Sequence, residues 1–306
     1  MDELTIVEAV RMMAFSAIVG AVLAKASIIL VRRLVRGPRP PRWSDRAVLA
    51  VAATGVLCIL YGRFVEPYWL VVRHFTLPIK GLAGPVRLLH FSDLHCDPKV
   101  RLEDSLAAAA AAEKPDLITF SGDSVNSAGG LENFRRTMTA LTRVAPVYVA
   151  YGNWDAYINA GLNYYGGVPV HHQADGELVD VRGAKLWVCG VDVGRRSEIP
   201  RLMAARPPGA TAVVIHHYPD AIEEAAAKGC DLYLCGHTHG GQVALPLYGA
   251  LVTFSKFGKT YERGLYRVGS MWAYTNPGVG MEGGSAPRVR FWARPELTVL
   301  DLVPEK

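Results

Sequence analysis

The chain has 306 residues, half of them hydrophobic and one fifth charged, which excludes an intrinsically disordered chain. Five scattered cysteines with no Cys-x-x-Cys pair exclude a disulfide scaffold and a cysteine-built zinc site. The formal charge of +5 is local: residues 1–80 hold eleven Lys/Arg against five Asp/Glu, a balance of +6, while the rest hold 22 against 23, so the larger part has no overall attraction for nucleic acid.

Two apolar runs come first. Met12–Val31 is interrupted only by Lys25, and Ala47–Tyr61 carries no charge and extends to Val65 if Arg63 snorkels. A spanning helix needs roughly 17–25 apolar residues, so 12–31 and 47–65 predict a helical hairpin that makes residues 1–80 a membrane anchor. Between the runs stand Arg32, Arg33, Arg36, Arg39, Arg42 and Arg46 against a single Asp45, and Pro38, Pro40 and Pro41 break any helix. Trp43, Tyr68 and Trp69 fall where interfacial aromatics are expected. Of the alternatives, a cleaved signal peptide conflicts with the acidic leader Asp2, Glu3 and Glu8; the other is a helix pair lying on one leaflet or packed as soluble core. The positive-inside rule puts the arginine loop in the cytoplasm, and hence the following domain on the extracytoplasmic face of the cytoplasmic membrane. Cys96, Cys189, Cys230 and Cys235 lie in apolar runs typical of reduced core thiols and pull weakly the other way.

From 81 to 306 strands and helices alternate as one domain. Val86–Phe91 predicts a buried strand, 102–113 an alanine-rich helix, 116–120 a strand ending in Ser121-Gly122-Asp123, 132–143 a helix, and 146–151 a strand ending in Gly152-Asn153. A hairpin follows at 177–181 and 185–191, a strand at 211–216, a helix at 220–228, and a strand at 231–235 ending in Gly236-His237. The end is strand-rich: 263–268, 271–275, 289–292 and 297–302. This order predicts an α/β fold of two sheets with helices outside.

Polar residues repeatedly close these buried strands: Asp93, His95, Asp123, Asn153, His217, His237 and His239. Open α/β sheets bind ligands at the carboxyl ends of strands. Oxygen and imidazole donors suit Mn, Fe, Zn or Mg, and there are enough for two divalent metal ions if one carboxylate bridges. Singly each signal is weak, since Asp-x-His and Gly-Asp are more often turns. Five such segments in order, each at a strand end, carry the reading together.

Ser92-Asp93-Leu94-His95, Gly122-Asp123, Gly152-Asn153-Trp154-Asp155, His217-Tyr218-Pro219-Asp220 and Gly236-His237-Thr238-His239-Gly240-Gly241-Gln242 resemble the calcineurin-like metallophosphoesterases, over about residues 86–303. Arg263-Gly264-Leu265-Tyr266, Asn276-Pro277-Gly278 and Arg294-Pro295-Glu296-Leu297 are similar to a bacterial branch of membrane-associated or exported phosphohydrolases. The resemblance implies a four-layer α/β/β/α sandwich with two metals: Asp93, His95 and His239 on the first, Asn153, His217 and His237 on the second, and Asp123 bridging. It implies that water held by both metals attacks phosphorus directly, with Asp123, Asn153 and His239 acting in catalysis through the metals. His216 matches no ligand position and reads as a neighbour of the site or as packing.

One position departs from the family's pattern. The residue after Gly-Asn is usually a His, which in the family protonates the leaving group or stabilises the transition state; here it is Trp154, whose indole N–H donates a hydrogen bond but transfers no proton. An alkoxide leaves badly without a proton, whereas a phosphate leaves as an anion. The expected substrates are therefore phosphoanhydrides or activated diesters, and a phosphorylated, lipid-linked compound would suit an anchored enzyme. Alternatives stay open: His171 or His172 of the 159–175 loop replaces the acid, or the loop, with Tyr164, Tyr165, Gly166 and Gly167, is a substrate lid; Arg195 and Arg196 contact phosphate or are a surface pair. A general phosphomonoesterase and a metal-stabilised scaffold are the competing functions.

Overall fold

The computed structural model describes residues 5–37, 42–172, 175–283 and 287–305. It opens with helices α1 (Ile6–Arg36) and α2 (Trp43–Phe64), both longer than the apolar runs that announce them. Thr5 caps α1 reciprocally: its hydroxyl accepts from the Glu8 N–H at 3.2 Å, and the Glu8 carboxylate accepts from the Thr5 N–H at 3.2 Å. Pro38, Arg39, Pro40 and Pro41 of the connection lie outside the described residues. Each helix is long and apolar enough to cross a membrane, and only 11% of each apolar window is buried within the protein. Leu30, Val31, Leu34 and Val35 on α1 and Leu57, Ile59 and Leu60 on α2 are exposed.

The remaining strands are β1 (Val71–Ile79), β2 (Val86–Phe91), β3 (Leu117–Phe120), β4 (Val147–Val149), β5 (Glu177–Val181), β6 (Ala184–Val191), β7 (Thr211–His216), β8 (Leu232–Cys235), β9 (Ala244–Leu245), β10 (Gly249–Ala250), β11 (Gly264–Val268), β12 (Met271–Thr275) and β13 (Glu296–Pro304). One sheet has the order β1-β13-β2-β3-β4, the other β11-β12-β8-β7-β6-β5, and β9 and β10 form a small ribbon. The helices are α3 (Glu103–Glu113), α4 (Leu131–Thr142), α5 (Ile199–Ala204) and α6 (Ile222–Ala227).

Strand alternation builds the layers. Val86 and Leu88 of β2 face the second sheet, meeting Val213 and Ile215 of β7 and Leu232 and Leu234 of β8. The intervening Leu89 and Phe91 face outward onto Leu106 of α3 and Phe134 and Met138 of α4. Val214, Tyr233 and Cys235 turn the other way, onto Leu202 of α5 and Ile222 of α6. Both faces of the central strands are buried, so they read as continuous apolar runs. Three cores separate four layers, helices outside and two sheets inside.

Besides the short α5, β9 and β10, which the sequence reading did not place, two elements differ from it. β1 lies within residues 1–80 yet pairs in parallel along its length with β13, from Val71↔Glu296 to Ile79↔Pro304. It is an edge strand, which is why it tolerates Pro78. The strand expected at 289–292 is replaced by a single bridge, Phe291 to Val243. The reason is that the Arg290 N–H donates to Gly62 O of α2 at 2.9 Å, so the segment is tied to the hairpin rather than to a sheet.

Candidate metal centre

The predicted ligands converge where β2, β3, β4, β7 and β8 end. Asp93, His95, Asp123, His237 and His239 all adopt positive φ, between 41° and 70°. Left-handed backbone costs a side-chain-bearing residue about 1–2 kcal/mol, and such strain persists where the surroundings over-determine it, commonly at functional sites. The motif glycines make room. A Cβ on Gly152 would lie 2.1 Å from Asp123 Oδ1, and one on Gly236 would lie 2.2 Å from Asp93 Oδ2.

Two buried triads result, Asp93/His95/His239 and Asp93/Asp123/His217, with potential ligand atoms in each within 4.8 Å of one another. His239 Nε2 is 3.3 Å from Asp93 Oδ1. Asp123 Oδ2 lies 3.2 Å from His217 Nε2 and 3.5 Å from His95 Nε2, touching one imidazole of each triad. His95 and His239 bring their Nε2 atoms within 3.2 Å. Asn153 and His237 join Asp123, His239 and Trp154 in lining an adjoining cleft of about 250 Å³, together with Tyr157, Ile158, Phe254 and Glu282.

The electrostatics are divided. Burial pushes His95 and His239 down, so both are neutral. Burial also pulls His217 down, but the Asp123 and Asp93 carboxylates outweigh it and hold a proton there. Burial raises Asp123, but the protonated His217 and the Trp154 N–H outweigh it and keep this carboxylate ionised. Asp93 Oδ1, Asn153 Oδ1, His95 Nδ1 and His217 Nε2 are buried without a well-directed hydrogen bond. Buried polar atoms left unpartnered are costly, and here they are hard or borderline donors gathered at one mouth. The donor set fits divalent cations.

A frame that the sequence reading missed holds these ligands. Asp155, the last residue of Gly-Asn-Trp-Asp, accepts from the backbone N–H of Asp123 at 2.8 Å, Ser124 at 2.9 Å and Gly152 at 2.9 Å, locking two ligand loops together. The Trp154 N–H donates to Asp123 Oδ1 at 2.8 Å, and its indole packs edge-on to His95 with ring centroids 5.1 Å apart. The indole is therefore a wall against a ligand as well as a lining of the cleft. His217 Nδ1 is 2.8 Å from Ser121 O, which orients Nε2 toward the carboxylates.

The hairpin reaches the same frame at both ends. Glu8 of α1 accepts from Thr253 N–H at 2.7 Å and Thr253 Oγ1 at 2.9 Å, and the next residue's carbonyl, Phe254 O, is 3.2 Å from His237 Nε2. At the root of α2, Glu66 accepts from Ala293 N–H at 2.6 Å, beside Arg290's tie to Gly62. Arg290 is fully buried; it donates to Pro277 O and Ala293 O at 2.8 Å, and its Nη2 lies 3.3 Å from His239 Nδ1. The signal for Glu8 and Glu66 was an acidic residue bordering an apolar helix. Arg290 gave none.

The other candidates are placed elsewhere. His171 pairs with Glu177 at 2.9 Å and stacks on Tyr148. His172 pairs with Asp192 at 2.9 Å, and neither histidine lines the cleft. Tyr164 and Tyr165 are packed into the core against Phe134, so that part of the expected lid is an anchor; residues 173–174 lie outside the described residues. Arg195 and Arg196 pair with Glu198 and Glu224. His216 is buried with Nδ1 2.7 Å from Val191 O, as packing beside the site.

An α/β sandwich of two sheets that opens its strand ends onto paired buried Asp/His clusters is the architecture of a metal-dependent phosphoesterase. Residues 86–241 match the family model described as calcineurin-like phosphoesterase, and the chain belongs to that family. It is 30% identical over 265 residues to phosphodiesterase YaeI of Escherichia coli, across 79% of this chain and 92% of that protein. It is 28% identical over 258 residues to the metallophosphoesterase YkuE of Bacillus subtilis, across 79% of this chain and 88% of that one. A transmembrane protein with metallophosphoesterase domain from Bos taurus is 25% identical over 287 residues, across 84% of this chain and 62% of that protein.

Proposed function

We propose that this chain is a membrane-anchored phosphohydrolase that uses two divalent ions to cleave a phosphodiester or pyrophosphate bond in a lipid or cell-envelope intermediate. The observation that carries the reading is the joining of hairpin to metal centre: one end of the bare apolar hairpin grips the loop beside His237, and the other grips the loop beside His239. Soluble core helices bury most of their apolar surface, whereas these leave theirs uncovered. Both attachments lie at the end of the hairpin opposite Arg32, Arg33, Arg36 and Arg42, so the positive-inside rule supports a domain on the extracytoplasmic face.

Asp93, His95 and His239 would hold one ion, Asn153, His217 and His237 the other, with Asp123 between them. When bound, such a pair supplies Lewis acidity and a nucleophilic water at neutral pH. The chain's own residues do the rest. Asp155 holds the Asp123 backbone, the Trp154 N–H fixes its carboxylate, and Arg290 braces His239. Trp154, Ile158 and Phe254 give the cleft an apolar wall suited to a substrate with a hydrophobic portion. The family's usual proton donor being replaced by Trp154, the reading favours leaving groups stable as anions; the phosphodiesterase name of the E. coli relative agrees with a diester substrate.

The test uses full-length protein in detergent with Mn, assayed on an activated aryl phosphodiester, a lipid pyrophosphate and an alkyl phosphomonoester. The expected result is metal-dependent turnover of the first two, abolished by Asp123→Ala or His239→Ala. An alkyl monoester turned over as fast as the pyrophosphate would reject the specificity, and no turnover of any ester would favour a scaffold.

A further inference from the structure

We propose that a second cavity, at the root of α2, binds the phosphate of an anionic phospholipid headgroup; this rests on the reading that the hairpin sits in a membrane. The cavity measures about 480 Å³ and includes Arg263, Pro277 and Arg294 in its lining. These come from the Arg-Gly-Leu-Tyr, Asn-Pro-Gly and Arg-Pro-Glu-Leu stretches, and Arg263 and Arg294 take no part in the metal clusters. Three segments distant in sequence thus converge on one pocket beside the anchor.

The two arginines hold donors that the protein does not spend. Among the described residues neither Arg263 nor Arg294 has a carboxylate within 4.0 Å, whereas Arg73 of the same pocket is paired with Glu296 at 2.9 Å. Arg263 gives one N–H to Trp292 O, and Arg294 stacks on Trp69 with its guanidinium carbon 3.8 Å from the ring centroid. The two acidic residues in the lining are already engaged: Glu66 by Ala293 N–H, and Glu296 by Arg73, the Tyr274 hydroxyl and Thr298 Oγ1. Two planar guanidinium forks on one cavity are a recognition device for a phosphate oxyanion.

The surroundings select a lipid as the source of that phosphate rather than free phosphate. Tyr61 of the last turn of α2 forms part of the lining, so the pocket opens where a spanning helix would leave the hydrocarbon. Trp69 and Trp292 beside it are half exposed, at 48% and 52%, as interfacial tryptophans are. The Arg263 side chain also backs onto the metal loop, since a Cβ on Gly240 would lie 3.1 Å from its Cδ. An occupied pocket would therefore fix the membrane-side wall of that loop.

The experiment titrates full-length protein in neutral detergent with dihexanoyl phosphatidylglycerol, dihexanoyl phosphatidylcholine and inorganic phosphate, followed by tryptophan fluorescence. The expected result is saturable phosphatidylglycerol binding, at least about tenfold tighter than either comparison ligand and weakened about tenfold or more in Arg263→Gln/Arg294→Gln. Arg294→Lys keeps the charge but loses the fork and should give an intermediate loss, which covers a double variant that fails to fold. Inorganic phosphate binding as tightly as the lipid, or variants that bind the lipid like the parent, would overturn the assignment. Alkaline carbonate extraction of cell membranes separates the two claims. Release of the chain would overturn the anchor, and the lipid with it; retention alongside unchanged binding in the variants overturns the lipid assignment alone.

Discussion

Replacing Glu8 by Ala asks whether the first helix of the hairpin is part of the frame of the metal centre. The carboxylate accepts from Thr253 N–H at 2.7 Å and Thr253 Oγ1 at 2.9 Å, and Thr253 is only 1% exposed. Truncation leaves two buried donors unpaired at about 1–3 kcal/mol each, and loss of the reciprocal cap with Thr5 adds about 1 kcal/mol. The docking of α1 should weaken by roughly 3–7 kcal/mol. Phe254, next in the chain, is held at a φ of 50° with its carbonyl 3.2 Å from His237 Nε2. Partners that orient a ligating histidine are worth about 10–100-fold in metal affinity, so Glu8→Ala should lose about tenfold in Mn affinity while every ligand stays in place. Thr5→Ala is the control: it removes the cap but leaves Thr253 paired, and should cost about 1 kcal/mol of stability with no change in metal affinity. Metal competition and thermal melts in detergent, with and without Mn, read both quantities. Glu8→Ala binding Mn as tightly as the parent would refute the reasoning.

Trp154→His should restore a proton donor in the cleft and raise kcat/KM for an alkyl phosphomonoester by up to about 100-fold while leaving a pyrophosphate diester nearly unchanged; equal gains on both would show that the indole acts by shape alone. His217, raised by Asp123 and Asp93 in the metal-free chain, stabilises that form below the ordinary histidine range, and the contribution is lost as pH rises through the raised value. Metal must displace this proton, so affinity should fall by up to about tenfold per unit of falling pH. His95 and His239 are already neutral and release none. Calorimetry in buffers of different ionisation enthalpy should find a proton released near neutral pH, and finding none would contradict the charge assignment. Deleting residues 1–80 removes β1 and should abolish cooperative unfolding. Deleting only 1–70 keeps β1 but removes Gly62 and Glu66, and should leave a folded domain with weakened metal binding; equal thermal melts for the two would contradict the role of β1.

The ligands were legible because each lies within a few residues of the apolar run that delivers it. Val213 to Ile215 announce His217 and Leu232 to Leu234 announce His237, as strands buried on both faces do. What the sequence hid is non-local. β1 alternates and contains Pro78, and its partner is the last strand of the chain, so no neighbouring pattern marks it. Glu8 finds its partner 245 residues away and Glu66 finds its own 227 residues away. An acidic residue bordering an apolar helix looks the same whether it is solvated or docked. The 289–292 stretch has strand composition, but the N–H groups of Arg290 and Phe291 go to Gly62 and Gln242. Trp154 could be recognised as a departure from the expected histidine, yet only the fold shows that its ring braces His95.

The measurement that bears most directly on the central claim is elemental analysis of the purified full-length protein alongside turnover of an activated aryl phosphodiester. Two divalent ions per chain are predicted, with activity rising as the second is loaded, and Asp123→Ala, which removes the carboxylate between the triads, should lose both metal and turnover. Full activity with a single ion, or with none, or an Asp123→Ala protein that keeps both ions and its activity, would contradict the two-metal account.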